Sequence, residues 1–159
     1  MTTQKKYSLK ELLLEQETSA SSSMLTALIG LVDIHQSHGS TSHTLVLNHP
    51  SCRSVLDIEI DGPNQIWVNN LDVVGKNGKH DPQCFRKGYG RQMLSLLIRA
   101  ADEHGVSLTL IAAPPAYLKR QFPHIPDKDQ LAELYAQYGF YETQRNPAQV
   151  HMHRDARRS

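Results

Sequence analysis

The chain has 159 residues with 17 Lys and Arg against 16 Asp and Glu, which predicts one domain whose core needs neither disulfides nor a structural metal. That balance excludes the charge excess with which proteins grip nucleic acid or an acidic membrane surface. Two cysteines, Cys52 and Cys84, lie too far apart for a Cys-x-x-Cys site, and nothing at the N-terminus has the order of a signal peptide, so a reducing cytoplasm is the expected compartment.

Residues 1–7 are polar and expected to be loose, as are residues 155–159. Ser8 and Glu11 form a capping box that opens a short helix through Leu12, Leu13 and Leu14. A Ser/Thr run over 18–23 then breaks the pattern. Leu25, Leu28, Ile29, Leu31 and Val32 recur at helical spacing, which predicts a second helix ending near His38 and Gly39. Interrupted by Thr26, Gly30 and Asp33, residues 24–34 are the most apolar stretch and fall short of the ~20 residues that span a bilayer.

Three apolar runs, 44–47, 54–60 and 65–74, end at turn residues and predict an antiparallel meander. A glycine- and charge-rich loop over 75–83 follows. Residues 92–104 carry the clearest amphipathic helix, closed by Gly105, and 106–112 form a compact apolar strand, so strand, helix and strand predict a parallel pair. Four prolines between 114 and 126 exclude a regular helix there and predict a long excursion. Asp127 with Gln130 caps the next helix, whose apolar side is Leu131, Leu134, Tyr135 and Tyr138, stopped by Gly139. Two short strands around Arg145, Asn146 and Pro147 close the chain.

Chemistry is most legible at Phe85, Arg86, Lys87, Gly88, Tyr89, Gly90 and Arg91, where two glycines lead into the amphipathic helix. Glycines at a helix entry remove the Cβ atoms that keep a bulky anion from the backbone, so several N–H groups converge on one phosphate. A dinucleotide fingerprint requires glycine at Met93, and no Walker spacing occurs. A surface Gly-x-Gly turn is the plain alternative. Nine histidines raise the question of a metal, yet His35 with His38 and His151 with His153 lack a third ligand tied to them by spacing, and no metal is expected. Cys84 reads as a small buried thiol.

This loop resembles the pyrophosphate loop of the GNAT superfamily of N-acetyltransferases, Arg/Gln-x-x-Gly-x-Gly/Ala between a strand and a helix, with Gly88 and Gly90 matching and Phe85 standing where Arg or Gln is usual. Leu71, Asp72 and Val73 are similar to the Leu-x-Val of the preceding strand, and Leu134, Tyr135, Gly139 and Phe140 to a Leu-Tyr-x-x-x-Gly-Phe segment near the C-terminus. The three motifs occur in the family's order over residues 66–153.

The resemblance implies an α/β (α+β) single domain over 1–159, with a mixed, mostly antiparallel sheet and helices on both faces. It implies acetyl-CoA as co-substrate and direct attack by an amine in a ternary complex. Cofactor contacts fall on Asp72, Val73, Val74, Phe85, Arg86, Lys87, Gly88, Tyr89, Gly90 and Arg91. Tyr135 would protonate the departing thiolate and Asp72 would be the nearest base, with Glu59 next. Tyr117, Lys119, Arg120 and Phe122 of the excursion would border the acceptor, a protein lysine, an N-terminus or a small amine. No nucleic acid or membrane is expected as partner, and a homodimer is left open. The alternative is a catalytically silent member of the fold that binds CoA or a partner protein.

Overall fold

A computed structural model describes residues 19–36 and 41–157. The expected capping box at Ser8 and Glu11 and the end of the second expected helix at His38 lie outside the described residues. Within them, seven strands form one open sheet in the order β1-β2-β3-β4-β5-β7-β6, mixed and mostly antiparallel, flanked by helices on both sides. This is the architecture the resemblance implies.

Helix α1, Ala20–Leu28, starts earlier and stops sooner than the hydrophobic spacing predicts. Ser19 is the N-cap, accepting from Ser22 N–H, so the serine run begins the helix. Gly30 then turns the chain at φ +94°, a conformation glycine adopts without penalty. Ile29 and Leu31 are left exposed at the turn, and Asp33–Gln36 becomes β1 instead of helix. The apolar run is therefore two elements, because Leu25, Leu28 and Val32 are the members that reach the core.

Strands β2 (Ser42–Asn48), β3 (Cys52–Gly62) and β4 (Gln65–Gly75) form the expected meander. Alternation along β3 buries Cys52, Ser54, Leu56 and Ile58 on one face. Against that face lies α2, Tyr89–His104, with Met93, Leu94, Leu97, Ala100 and Ala101 buried along one stripe. The sequence also foresees the parallel pair of β4 with β5, Ser107–Ala112. Residues 116–121 do form a helix, α3, Ala116–Gln121, because Pro115 sits at its N-cap and Pro123 beyond its end, where proline breaks no helical bond. The Asp127 and Gln130 capping box opens α4, Lys128–Ala136, as expected, and β6 (Tyr141–Arg145) pairs with β7 (Val150–Arg154).

Two further expectations change. Cys52 and Cys84 form a disulfide, so Cys84 is not a free thiol. Nor are residues 155–157 a loose tail. Asp155 accepts from Tyr141 Oη and lies 3.1 Å from His153 Nε2, and Arg157 N–H donates to Asp102. No described helix is long and apolar enough to cross a membrane.

Candidate functional site

The glycine loop opens the longest of the described helices. Side chains cap α1 and α4, whereas among the described residues none caps the short α3 at Pro115 or α2 at Gly88, and at α2 this leaves the first backbone donors of a 16-residue helix open. Gly88 has φ +78° and Arg86 φ +60°, so two residues of the approach are left-handed, and the second is not a glycine. Strain of this kind is typical of ligand-binding turns. Gly90 has an ordinary φ, and a Cβ built on it would meet Val73 Cγ2 at 3.6 Å, an ordinary contact. Neither conformation nor crowding within the chain demands glycine at 90. Arg86, Lys87 and Arg91 are exposed around this end.

Beside the loop, the sheet comes apart. β4 pairs with β5 from Gln65 only to Val68, and Asn69 is the extra residue of a bulge opposite the Asp57 and Ile58 junction of β3. From Asn69 to Gly75, β4 continues on β3, and among the described residues no strand pairs with the edge that faced β5. The bulge twists β4 away at the residue where parallel pairing ends.

Asp72, Val73 and Val74 lie on this free stretch. Val73 faces Gly90, so Asp72 projects to the opposite face. Asp72 Oδ1 accepts the Val73 N–H at 3.1 Å and Oδ2 lies 2.7 Å from His80 Nε2. Phe85 contributes contact and no charge, its ring meeting Phe122 edge-on at 5.2 Å, and Phe122 in turn lies 6.4 Å from the His80 ring. The structure thus gathers Asp72, Val73, the glycine loop, Phe85 and Phe122 at one end of β4.

The remaining expected residues behave differently. Lys119 is folded inward, its Nζ donating to the carbonyls of Pro123 and Ile125, and so holds the excursion together. Tyr117 and Arg120 are exposed. Tyr135 packs against Phe140 at 5.8 Å, and burial pushes its hydroxyl up to about 12. Among the described residues no hydrogen bond engages that hydroxyl, and no contact joins it to Asp72. A surface groove of about 490 Å³ lined by Ser95, Asp102 and Tyr138 lies along the far half of α2, away from the glycine loop. No cluster of three or more metal-ligating side chains occurs among the described residues.

No protein-family model and no curated protein matches the chain. Solved structures do. Its structural neighbours include GNAT acetyltransferases. Ard1 from Thermoplasma volcanium is 15% identical, with 98% of this chain and 84% of that one covered and a TM-score of 0.48. The PaiA N-acetyltransferase from Thermoplasma acidophilum, in complex with coenzyme A, is 13% identical over 94% and 80%, TM-score 0.42. A GNAT family acetyltransferase from Elizabethkingia anophelis with acetyl-CoA bound is 10% identical over 79% and 98%, TM-score 0.48.

Beyond the residues that resemble GNAT motifs, the structure adds a clamp the sequence does not announce. Ser54 Oγ donates to the Tyr89 carbonyl at 2.8 Å, and His49 Nε2 lies 2.8 Å from the same Oγ. The His49 ring stacks on Tyr89 at 3.8 Å. Burial, aided by Lys76, holds His49 below the usual imidazole range, and because Ser54 Oγ gives its proton to the Tyr89 carbonyl, His49 Nε2–H is the donor to Ser54. With the disulfide, these contacts tie the β2–β3 hairpin to the glycine loop. His49 before Pro50 reads as a plain turn and His80 as part of a polar loop, so no sequence signal marks either.

Proposed function

We propose that this protein transfers an acetyl group from acetyl-CoA to an amine by direct attack within a ternary complex. The observation that carries this reading is a conjunction: a glycine-entered helix end without a side-chain cap lies against the stretch of β4 whose outer edge, among the described residues, pairs with no strand. Backbone donors at a helix entry suit a diphosphate. A free strand edge suits an extended arm carrying amides, which bonds to it as an added strand would. Coenzyme A carries both groups on one molecule, and acetyl-CoA supplies the activated acyl carbon.

On this reading Arg86, Lys87 and Arg91 offset the diphosphate charge, and Asp72, Val73 and Val74 offer main-chain groups to the arm. Tyr135 acts on the departing sulfur. A phenol pushed up to about 12 is a weaker acid than a thiol of ~8.5, so it does not surrender its proton outright. It donates a hydrogen bond and passes on the proton that the attacking nitrogen releases. Acceptor amines, whether a protein lysine, an N-terminus or a small amine, approach between Phe122 and the exposed Tyr117 and Arg120.

Gly90→Leu tests the cradle. Leucine is a good helix former and the position has helical φ, so the melting temperature should hold within a few degrees. Its side chain fills the space proposed for phosphate, and CoA affinity measured by calorimetry should fall by about 30-fold or more, roughly 2 kcal/mol. A parent protein that shows neither heat nor a rise in melting temperature with CoA removes the reading. Tyr135→Phe should lower kcat by about 100-fold and leave CoA affinity unchanged. An unaltered kcat would relegate that ring to packing.

A further inference from the structure

We infer that His80 is the base that takes the proton from the acceptor amine, and that Asp72 is its positioning residue and not the base. This rests on the acetyl-transfer reading above and assigns a residue to its proton step. Val73 faces the glycine loop, so the Asp72 side chain leaves β4 on the other side, where an acceptor arrives without crossing the diphosphate. Both Asp72 oxygens are engaged, Oδ1 by the Val73 N–H at 3.1 Å and Oδ2 by His80 at 2.7 Å. So held between Val73 N–H and the imidazole, the Asp72 carboxylate is fixed in place to orient His80.

The imidazole is differently placed. With Nε2–H donating to Asp72, the tautomer is fixed and the lone pair lies on Nδ1. Among the described residues, no hydrogen bond reaches Nδ1. The Phe122 ring flanks the imidazole at 6.4 Å between centroids. With 20% of its side chain exposed, His80 can return a proton to water. As a class, imidazoles (~6.5) match a lysine-like ammonium (~10.4) better than carboxylates (~3.9) do. This is the arrangement of base and orienting carboxylate found wherever a histidine must hold one tautomer during proton transfer.

The ammonium gives one proton to His80 Nδ1, the freed amine nitrogen forms a C–N bond to the acetyl carbon, and the C–S bond breaks with its electron pair on sulfur. The second proton lost by nitrogen ends on that sulfur, giving amide and free thiol, and His80 releases the first proton to water. No oxidant or further reactant is needed. Among the described residues the charged group in contact with the ring is Asp72 on β4; Arg53 shares that face of the sheet, on β3 opposite Val74, and Lys79 and Asp81 are the chain neighbours, the latter accepting from Gln83 N–H.

The test follows kcat/KM against pH for the parent, His80→Gln and Asp72→Asn, with an alkylamine acceptor and with a weakly basic aromatic amine that is neutral at pH 7. The parent should lose activity with the alkylamine along one acidic limb. His80→Gln should lower kcat by about 100-fold, abolish the limb, and recover to within a few-fold of the parent with the aromatic amine, a rescue that a folding defect would not produce. Asp72→Asn should keep the limb but shift it to lower pH. If Asp72→Asn abolishes the limb and His80→Gln keeps it, the roles are reversed and the inference falls while acetyl transfer stands. Loss of the limb in neither variant overturns it equally. A parent that binds CoA yet acetylates neither amine defeats both readings. Should His80→Gln prove insoluble, the parent and Asp72→Asn profiles still decide, since an unshifted limb in Asp72→Asn excludes the pair.

Discussion

Replacing Cys52 and Cys84 together by alanine is expected to lower the melting temperature by about 8–16 °C and to weaken CoA binding. The disulfide closes a loop of 32 residues in sequence separation, which by chain entropy corresponds to about 4 kcal/mol, and for a domain of this size each kcal/mol moves the midpoint by about 2–4 °C. Both residues are buried, so alanine leaves small voids that add to the loss. The functional half follows from position. Cys84 ends a 3₁₀ turn, Pro82–Cys84, immediately before Phe85, and Cys52 opens β3 next to the hairpin whose His49 stacks on Tyr89. Freed from β3, the approach to Gly88 loses the constraint that keeps Arg86 at φ +60°, and ordering it again must be charged against ligand binding. Thermal melts with and without a reductant, followed by CoA titration of the double variant, measure the two effects. A midpoint insensitive to reductant would show that the fold does not depend on the bond.

What the sequence discloses is governed by periodicity and local turn chemistry. α2 is legible because Met93, Leu94, Leu97, Ala100 and Ala101 repeat at helical spacing and Gly105 caps them at φ +68°. The meander is legible because its strands end at Asn48 and Gly62, beside turn residues. α1 and β1 are not, since one apolar run serves a helix, a glycine turn and a strand, and period alone cannot place the joint. Within the candidate site, Gly88, Gly90 and the 71–74 strand are local signals. The unpaired edge of β4 depends on a bulge at Asn69 and on where β5 leaves, and the His80–Asp72 pair on a loop folding back over eight residues. Both are tertiary facts. Lys119 shows the converse, as a basic residue in a promising loop that is used to hold carbonyls.

The second large effect is expected at the far end of α2, where Asp102→Ala should destabilise the protein by about 2–4 kcal/mol. Arg154 is 2% exposed and donates Nη1 and Nη2 to the two Asp102 oxygens at 2.7 and 2.9 Å, while its Nε donates to the Tyr138 carbonyl. Removing the carboxylate strands a buried guanidinium, which costs about 3–5 kcal/mol in a fully buried pair; Asp102 keeps 28% exposure, so water recovers part of that. The Arg154 hydrogen bond first, with help from Arg157, holds the Asp102 carboxyl below the usual range against an opposing effect of burial. A carboxyl lowered on folding stabilises above its unfolded value, ~3.9, and loses that contribution as pH falls through the folded value. The stability gap between parent and variant should therefore be constant from pH 5 to 8 and close in stronger acid. Crowding sharpens the point: a Cβ at Gly139, already at φ +95°, would meet Arg157 Nη2 at 2.6 Å and Arg154 Nε at 3.3 Å. These arginines fix the turn after α4, and Phe140 beyond it is the ring against which Tyr135 rests. Asp102→Ala should accordingly lower kcat at temperatures well below its melting point while CoA affinity, which the proposed cradle puts at the opposite end of α2, stays near that of the parent; equal losses in both would mean that the helix moves as one rigid body.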